Sequence, residues 1–384
     1  MMAIDKKIIA IAVIAVVLVA GIATAVVLTN NQSSSGYTIV DGSGKEIKIS
    51  EPVTSIVTVN TNVPKAMKIL GLDDYVTGLS FYSAKSDSSN WNAFSPLFKN
   101  AKHMSIAPNM TGEEIAELGV KYVVAQIDSM TVSSDKEREY AELGITVVRL
   151  DCFGDTMYDD FKTLLRMCLG DKVTTNDAYE TYVKTSDAIV KDVLSKVTPD
   201  KSKSFLFFMG GKGFYNMNAA LSQTTEQIYG VNALNSIKDL DLSGVTNDAS
   251  KDGLMEQVIA LDAKDPIDVL LLRGSGGMTS VKDAASALKF WEGEYGLIKC
   301  NEAYKGLNAV NANNVYIFNS NILSGPLSYV GYILIAEATG FDTGYNVAEL
   351  ITEYNKTYGF DEATSGLLFG TSDGCKSFEE IVVS

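Results

Sequence analysis

Hydrophobic positions along this chain fall into three patterns. Residues 8–28 form one unbroken apolar run, free of charge and proline, directly behind Lys6 and Lys7. From residue 37 onward the apolar runs are short and alternate with amphipathic stretches, a spacing that predicts βα units and a largely parallel sheet. A third pattern covers residues 176–197, where Tyr179, Tyr182, Val183, Val190, Val193 and Val197 follow a 3.6-residue period. It predicts one long helix, capped by Thr175 or Asn176 and ended by Thr198-Pro199. The alternation of residues 37–49 around Asp41-Gly42-Ser43-Gly44 predicts a hairpin. Strands are expected at 55–59, 75–80, 145–150, 204–209 and 315–319. Helices are expected at 64–70, 326–338 and 348–358, and a polar aromatic loop at 81–98.

Two segments echo each other. Glu113-Glu114-Ile115-Ala116-Glu117-Leu118 leads into the strand-like Tyr122-Val123-Val124-Ala125, and Glu256-Gln257-Val258-Ile259-Ala260-Leu261 leads into Ile267-Asp268-Val269-Leu270-Leu271-Leu272. Each is an E-x-[I/V]-x-x-L helix followed by a buried-type strand, so two α/β lobes would place a carboxylate at the same structural point. Matched carboxylates suit a clamp presented to a basic partner; chance recurrence of amphipathic helix-to-strand units is the alternative. The resulting organisation is an anchor or signal with its tether at 1–36, a first lobe at 37–171, the connecting helix at 172–199 and a second lobe at 200–384.

Composition narrows the class. The 384 residues are 46% hydrophobic with a formal charge of −15, enough for two real cores and a field that repels nucleic acid. The run at 8–28 would span roughly 30 Å as a helix, enough to cross a bilayer with the lysines inside and the rest of the chain outside the cell. A cleaved signal peptide competes, with small residues at 20–25; no cysteine follows the run to carry a lipid. Cys152, Cys168, Cys300 and Cys375 form no C-x-x-C pair. An extracellular setting permits Cys152–Cys168 or Cys300–Cys375 bridges, with buried free thiols as the alternative. Asn31, Asn109 and Asn355 stand in glycosylation sequons.

Candidate chemistry points to binding, not catalysis. The single histidine, His103, cannot supply the several ligands that a bare Zn or Mn site needs. There is no H-E-x-x-H and no nucleophile near that histidine. A metal already chelated by a small organic molecule would need only aromatic walls and a few polar contacts. Loops at the carboxyl ends of the expected strands, where open α/β sheets bind ligands, carry Asn62, Phe81, Tyr82, Gln126, Phe214, Tyr215, Arg273 and Asn321. Phe81, Tyr82, Trp91, Phe214 and Tyr215 could be the walls, or could belong to the lobe cores. Arg273 is one of only four arginines; it could hold a carboxylate, phosphate or catecholate, or pair with a neighbouring Asp. Lys212 lies in a glycine-rich loop without phosphate-loop spacing. A ligand-binding importer component and a surface receptor or scaffold of the same fold are the two functional classes left.

The order of elements resembles the substrate-binding proteins of iron-siderophore, haem and cobalamin ABC importers. The residues that carry the resemblance are the Val40-Asp41-Gly42-Ser43-Gly44-Lys45-Glu46-Ile47 hairpin, the Ser55-Ile56-Val57-Thr58 strand, the passage Leu70-Gly71-Leu72-Asp73-Asp74-Tyr75-Val76-Thr77-Gly78, both echo units and the long helix. It implies an α/β fold of two lobes with mainly parallel sheets, joined by one long helix, with a ligand cleft between them. It also implies a monomer with no intrinsic cofactor, whose ligand is a metal chelate and whose partner is a membrane permease. In that family a glutamate of each lobe meets permease arginines, and the matching positions are Glu113 and Glu256. The family's basic residue in the last strand–helix loop is not evident in Ser324-Gly325-Pro326-Leu327, which leaves the carried complex open.

Overall fold

The computed structural model describes residues 36–81, 94–127, 131–208, 213–216, 219–244, 246–248, 253–274, 302–319, 325–360 and 369–371. The chain forms two compact units that part between Ile189 and Val190, with Phe153–Asp155 also belonging to the second. The apolar run at 8–28 lies outside the described residues, and no helix among those described is long and apolar enough to cross a membrane.

The first unit opens with the expected hairpin, β1 (Tyr37–Val40) against β2 (Glu46–Ile49). Asp41 closes its turn by accepting from the backbone N–H of Ser43 and Lys45, each at 3.0 Å, while its other oxygen accepts from Arg149 N–H. Next come β3 (Ile56–Thr58), α1 (Asn62–Ile69), β4 (Val76–Leu79), β5 (Lys102–His103), α2 (Gly112–Ala116), β6 (Tyr122–Ala125), α3 (Ser134–Glu142), β7 (Thr146–Arg149) and α4 (Met157–Leu169). The five strands β5-β4-β3-β6-β7 run parallel throughout. Alternate residues of β3, β6 and β7 pack with Ile115 and Tyr140 in one core: Val57, Val123, Ala125 and Val147. This is the period-2 burial that a helix-covered sheet imposes.

Helix α5 (Asp177–Lys196) is 20 residues long, about 30 Å at the helical rise. Asn176 accepts from Tyr179 N–H at 2.8 Å and so caps it. Tyr182 is buried on it against Phe161, with ring centroids 5.5 Å apart.

The second unit holds β8 (Ser204–Phe208), β9 (Gly213–Tyr215), α6 (Ala220–Ile228), β10 (Val231–Asn232), β11 (Thr246–Asp248), α7 (Leu254–Lys264), β12 (Val269–Gly274), α8 (Glu302–Lys305), α9 (Asn308–Asn311), β13 (Val315–Asn319), α10 (Ser328–Ala338), α11 (Val347–Tyr358) and β14 (Phe369–Thr371). Its sheet runs β11-β9-β8-β12-β13-β14, with β10 also on β8. The middle strands β8, β12 and β13 are parallel, whereas β9, β11 and β14 pair antiparallel. Leu206, Phe208, Leu270 and Leu272 face Leu254 and Val258 of α7 in the core.

Five helices, α3, α4, α6 and the four-residue α8 and α9, lie outside the segments expected to be helical. α3 buries only Tyr140, so it has no apolar stripe. α6 buries Ser222, Thr224 and Thr225 beside Leu221 and Ile228, so hydroxyl side chains interrupt its stripe. α4 does carry an apolar face, Phe161, Leu164, Leu165 and Cys168. Cys152 and Cys168 are free, buried thiols, which decides against a bridge between them. Cys300 and Cys375 lie outside the described residues.

Candidate functional site

In the first unit the carboxyl end of β3 runs directly into α1. Asn60 makes the corner: its Oδ1 accepts from the N–H of Asn62 at 3.0 Å and of Val63 at 2.8 Å, satisfying the exposed donors of the first helical turn. Asn62, an expected ligand contact, is the first residue of α1, and its Oδ1 is buried without a partner. Thr58 Oγ1 and Asn60 Nδ2 are buried and unpartnered as well. Six of the eight residues of α1 are buried, and one of them is Lys65, whose side chain has no hydrogen bond or ion pair among the described residues. Burial alone lowers its ammonium pKa from 10.5 to about 7. Neither Thr58, Asn60 nor Lys65 was singled out by sequence. The available signal was a lysine amid Val63-Pro64-Lys65-Ala66-Met67, where a core-facing position was due.

Phe81 is 1% exposed and packs as core. Gln126 is half-buried, and its backbone carbonyl accepts from Arg149 Nη1 at 3.0 Å. Tyr82 and Trp91 lie outside the described residues.

In the second unit Arg273 lies near the carboxyl end of β12, opposite Phe318 of β13. Its Nη1 donates to the Tyr215 hydroxyl, its guanidinium carbon lies 5.9 Å from the Tyr215 ring centroid, and its Nε is buried without a partner. The alternative of a pairing with a neighbouring Asp is not seen among the described residues; the partner is Tyr215 of β9, across the intervening β8. Tyr215 is held edge-on to Phe207, centroids 5.7 Å apart, and its carbonyl accepts from Asn232 Nδ2. Phe214 is wholly buried against Phe208 in the core, so its ring serves packing and offers no open wall. Lys212 and Asn321 lie outside the described residues. The other three arginines are engaged structurally: Arg138 with Asp135, Arg149 with Glu137, and Arg166 with Asp171.

The echo glutamates each lie exposed in the first turn of a helix, Glu113 in α2, after the Thr111 cap, and Glu256 in α7. No ion pair of either occurs among the described residues. Each has an exposed aliphatic neighbour. Leu143, 46% exposed, stands against Gly112, where an added Cβ would come within 2.6 Å of it, and Ile259, 42% exposed, lies three residues beyond Glu256.

No protein-family model matches the chain, and no curated protein matches it. Solved structures do match in fold. A TroA-like periplasmic binding protein, FepB, from Veillonella parvula superposes with a TM-score of 0.62 at 14% identity, over 87% of this chain and 99% of its own. A protein of an ABC-type Fe3+-hydroxamate transport system from Saccharomonospora viridis gives 0.54 at 18%, over 79% and 99%. CeuE of Helicobacter pylori, solved with Ni(II) bound, gives 0.57 at 14%, over 86% and 98%. The chain thus has the fold of the TroA-like periplasmic binding proteins. At these identities the likeness establishes the fold and leaves the solute open.

Proposed function

We propose that this chain is the extracytoplasmic solute-binding component of an ABC importer, and that it takes a metal held in an organic chelate, such as a ferric siderophore, haem or a corrinoid, and delivers it to a membrane permease. The observation that carries the reading is Arg273 with Tyr215. A guanidinium near the carboxyl end of a central parallel strand, fixed by an aromatic hydroxyl and with a buried unpartnered N–H, suits an anionic donor group of a ligand better than it suits packing. The fold shared with a protein of an Fe3+-hydroxamate transport system supports the same reading. The N-terminal apolar run would hold the protein at the membrane, and Glu113 and Glu256 would meet cationic groups of the permease.

Fluorescence quenching of the purified protein by ferric trihydroxamate, ferric tricatecholate, haem and corrinoid complexes tests this. One class should bind, and Arg273→Ala should weaken it by about 1.5–3 kcal/mol, the scale of a hydrogen bond to a charged group. Saturable binding of none of them would leave the receptor or scaffold reading in front.

A further inference from the structure

Where β3 becomes α1, three buried side-chain atoms, Thr58 Oγ1, Asn60 Nδ2 and Asn62 Oδ1, have no hydrogen-bond partner, and the buried Lys65 makes no hydrogen bond or ion pair among the described residues. Thr58, Asn60 and Lys65 are 0%, 7% and 3% exposed, so water does not bathe them freely. One of the orphaned atoms is placed by the hydrogen bonds around it. Asn60 Oδ1 is fixed on the N–H groups of Asn62 and Val63, which puts its Nδ2, with two unused donors, at the mouth of the same helical turn. Asn62 belongs to that turn, and Lys65, three residues on, shares its face. Thr58 precedes Asn60 by two residues, so their side chains leave the strand end on one side, opposite Val57 and Val59 in the core.

The donor inventory has one sign. Lys65 offers three donors, Asn60 two and Thr58 one, against a hydroxyl oxygen and Asn62 Oδ1 as acceptors. A half-turn of the Asn62 carboxamide exchanges that oxygen for another donor. Among the described residues, the carboxylate bound to α1 is Asp73, held by Lys68 at 2.8 Å on the helix's last turn. A buried cation with no counter-charge among the described residues destabilises the fold that contains it; an anionic occupant would offset that cost, and the positive end of the helix dipole favours the same sign.

We infer that Thr58, Asn60, Asn62 and Lys65 form an oxyanion pocket in the first unit, with the Lys65 ammonium as its charge and a carboxylate or phosphate group of the bound solute as its occupant. The inference rests on the solute-binding reading and narrows it to solutes carrying such a group.

The test uses the full chain in detergent, titrated with citrate, with ferric citrate and with inorganic phosphate at matched ionic strength, followed by thermal unfolding and calorimetry. Wild type should bind citrate or phosphate. Lys65→Met should lose about tenfold or more in affinity, as expected for removing a charge-assisted hydrogen bond, while unfolding at a higher temperature than wild type without anion. Thr58→Val, which keeps the charge, should weaken binding by a smaller factor. Preference for citrate assigns the pocket to a carboxylate, and preference for phosphate to a phosphate-bearing solute. A Lys65-dependent response that is the same with and without iron keeps the pocket and removes the chelate reading. Equal affinities of wild type and Lys65→Met, or no anion binding by folded wild type, overturns the pocket.

Discussion

Replacing Lys65 by methionine should stabilise the ligand-free protein by an amount that falls as pH rises. The ammonium has an ordinary pKa of 10.5 in the unfolded chain and about 7 in the folded one, lowered by burial. Between those values the unfolded chain binds more protons, so wild-type stability climbs with pH. Below pH 7 the buried ammonium carries its full penalty of about 5 kcal/mol, at roughly 1.4 kcal/mol for each pH unit of difference. About 2 kcal/mol of that disappears between pH 7 and pH 9, and above the unfolded-state value none is left. Methionine has nearly the same length and no charge, so Lys65→Met should show none of this dependence. Urea unfolding of both proteins from pH 6 to about 9.5, taken as the difference between them at each pH, isolates the one group. Burial raises the pKa of many tyrosines, Tyr37 among them to about 12, but these titrate alike in both chains. A difference that stays constant across the range, or a variant less stable than wild type at pH 7, would refute the reasoning.

The paired glutamates give a second test. Glu113→Arg with Glu256→Arg should leave unfolding within about 1 kcal/mol of wild type, since each loses only a helix-dipole contact, while abolishing uptake in vesicles reconstituted with the permease; normal uptake would end the docking assignment. Single reversals should retain partial uptake. Cys152 and Cys168 are buried thiols, their pKa values pushed up by burial, to about 12 for Cys168. In a Cys300→Ser, Cys375→Ser background, Ellman's reagent should therefore label neither thiol in the native protein and both in guanidinium. No labelling after denaturation would reveal a bridge between them. The full-length chain should stay with membranes after a high-salt wash, and its recovery in the soluble fraction, trimmed after Ala23 or Ala25, would show a cleaved signal instead.

Much of the scaffold is written in local pattern. The strand at Tyr122–Ala125, the strand at Val315–Asn319 and the helix capped by Asn176 follow from apolar periodicity and capping chemistry, because each depends on neighbours within a few residues. The exposed settings of Glu113 and Glu256 follow from the same local logic. What a side chain meets across the sheet does not. Phe214 and Tyr215 are consecutive, yet one fills the core and the other holds Arg273; the strand's pleat sends them to opposite sides, and only the packed neighbours decide which side is which. The mixed edges of the second sheet and the hydroxyl-rich face of α6 were equally closed to sequence, since long-range pairing sets them. Lys65 is the clearest case. Its position in a helix is local, but its burial, with no counter-charge among the described residues, arises from tertiary packing around α1, and that desolvation is what turns an ordinary lysine into a candidate anion site.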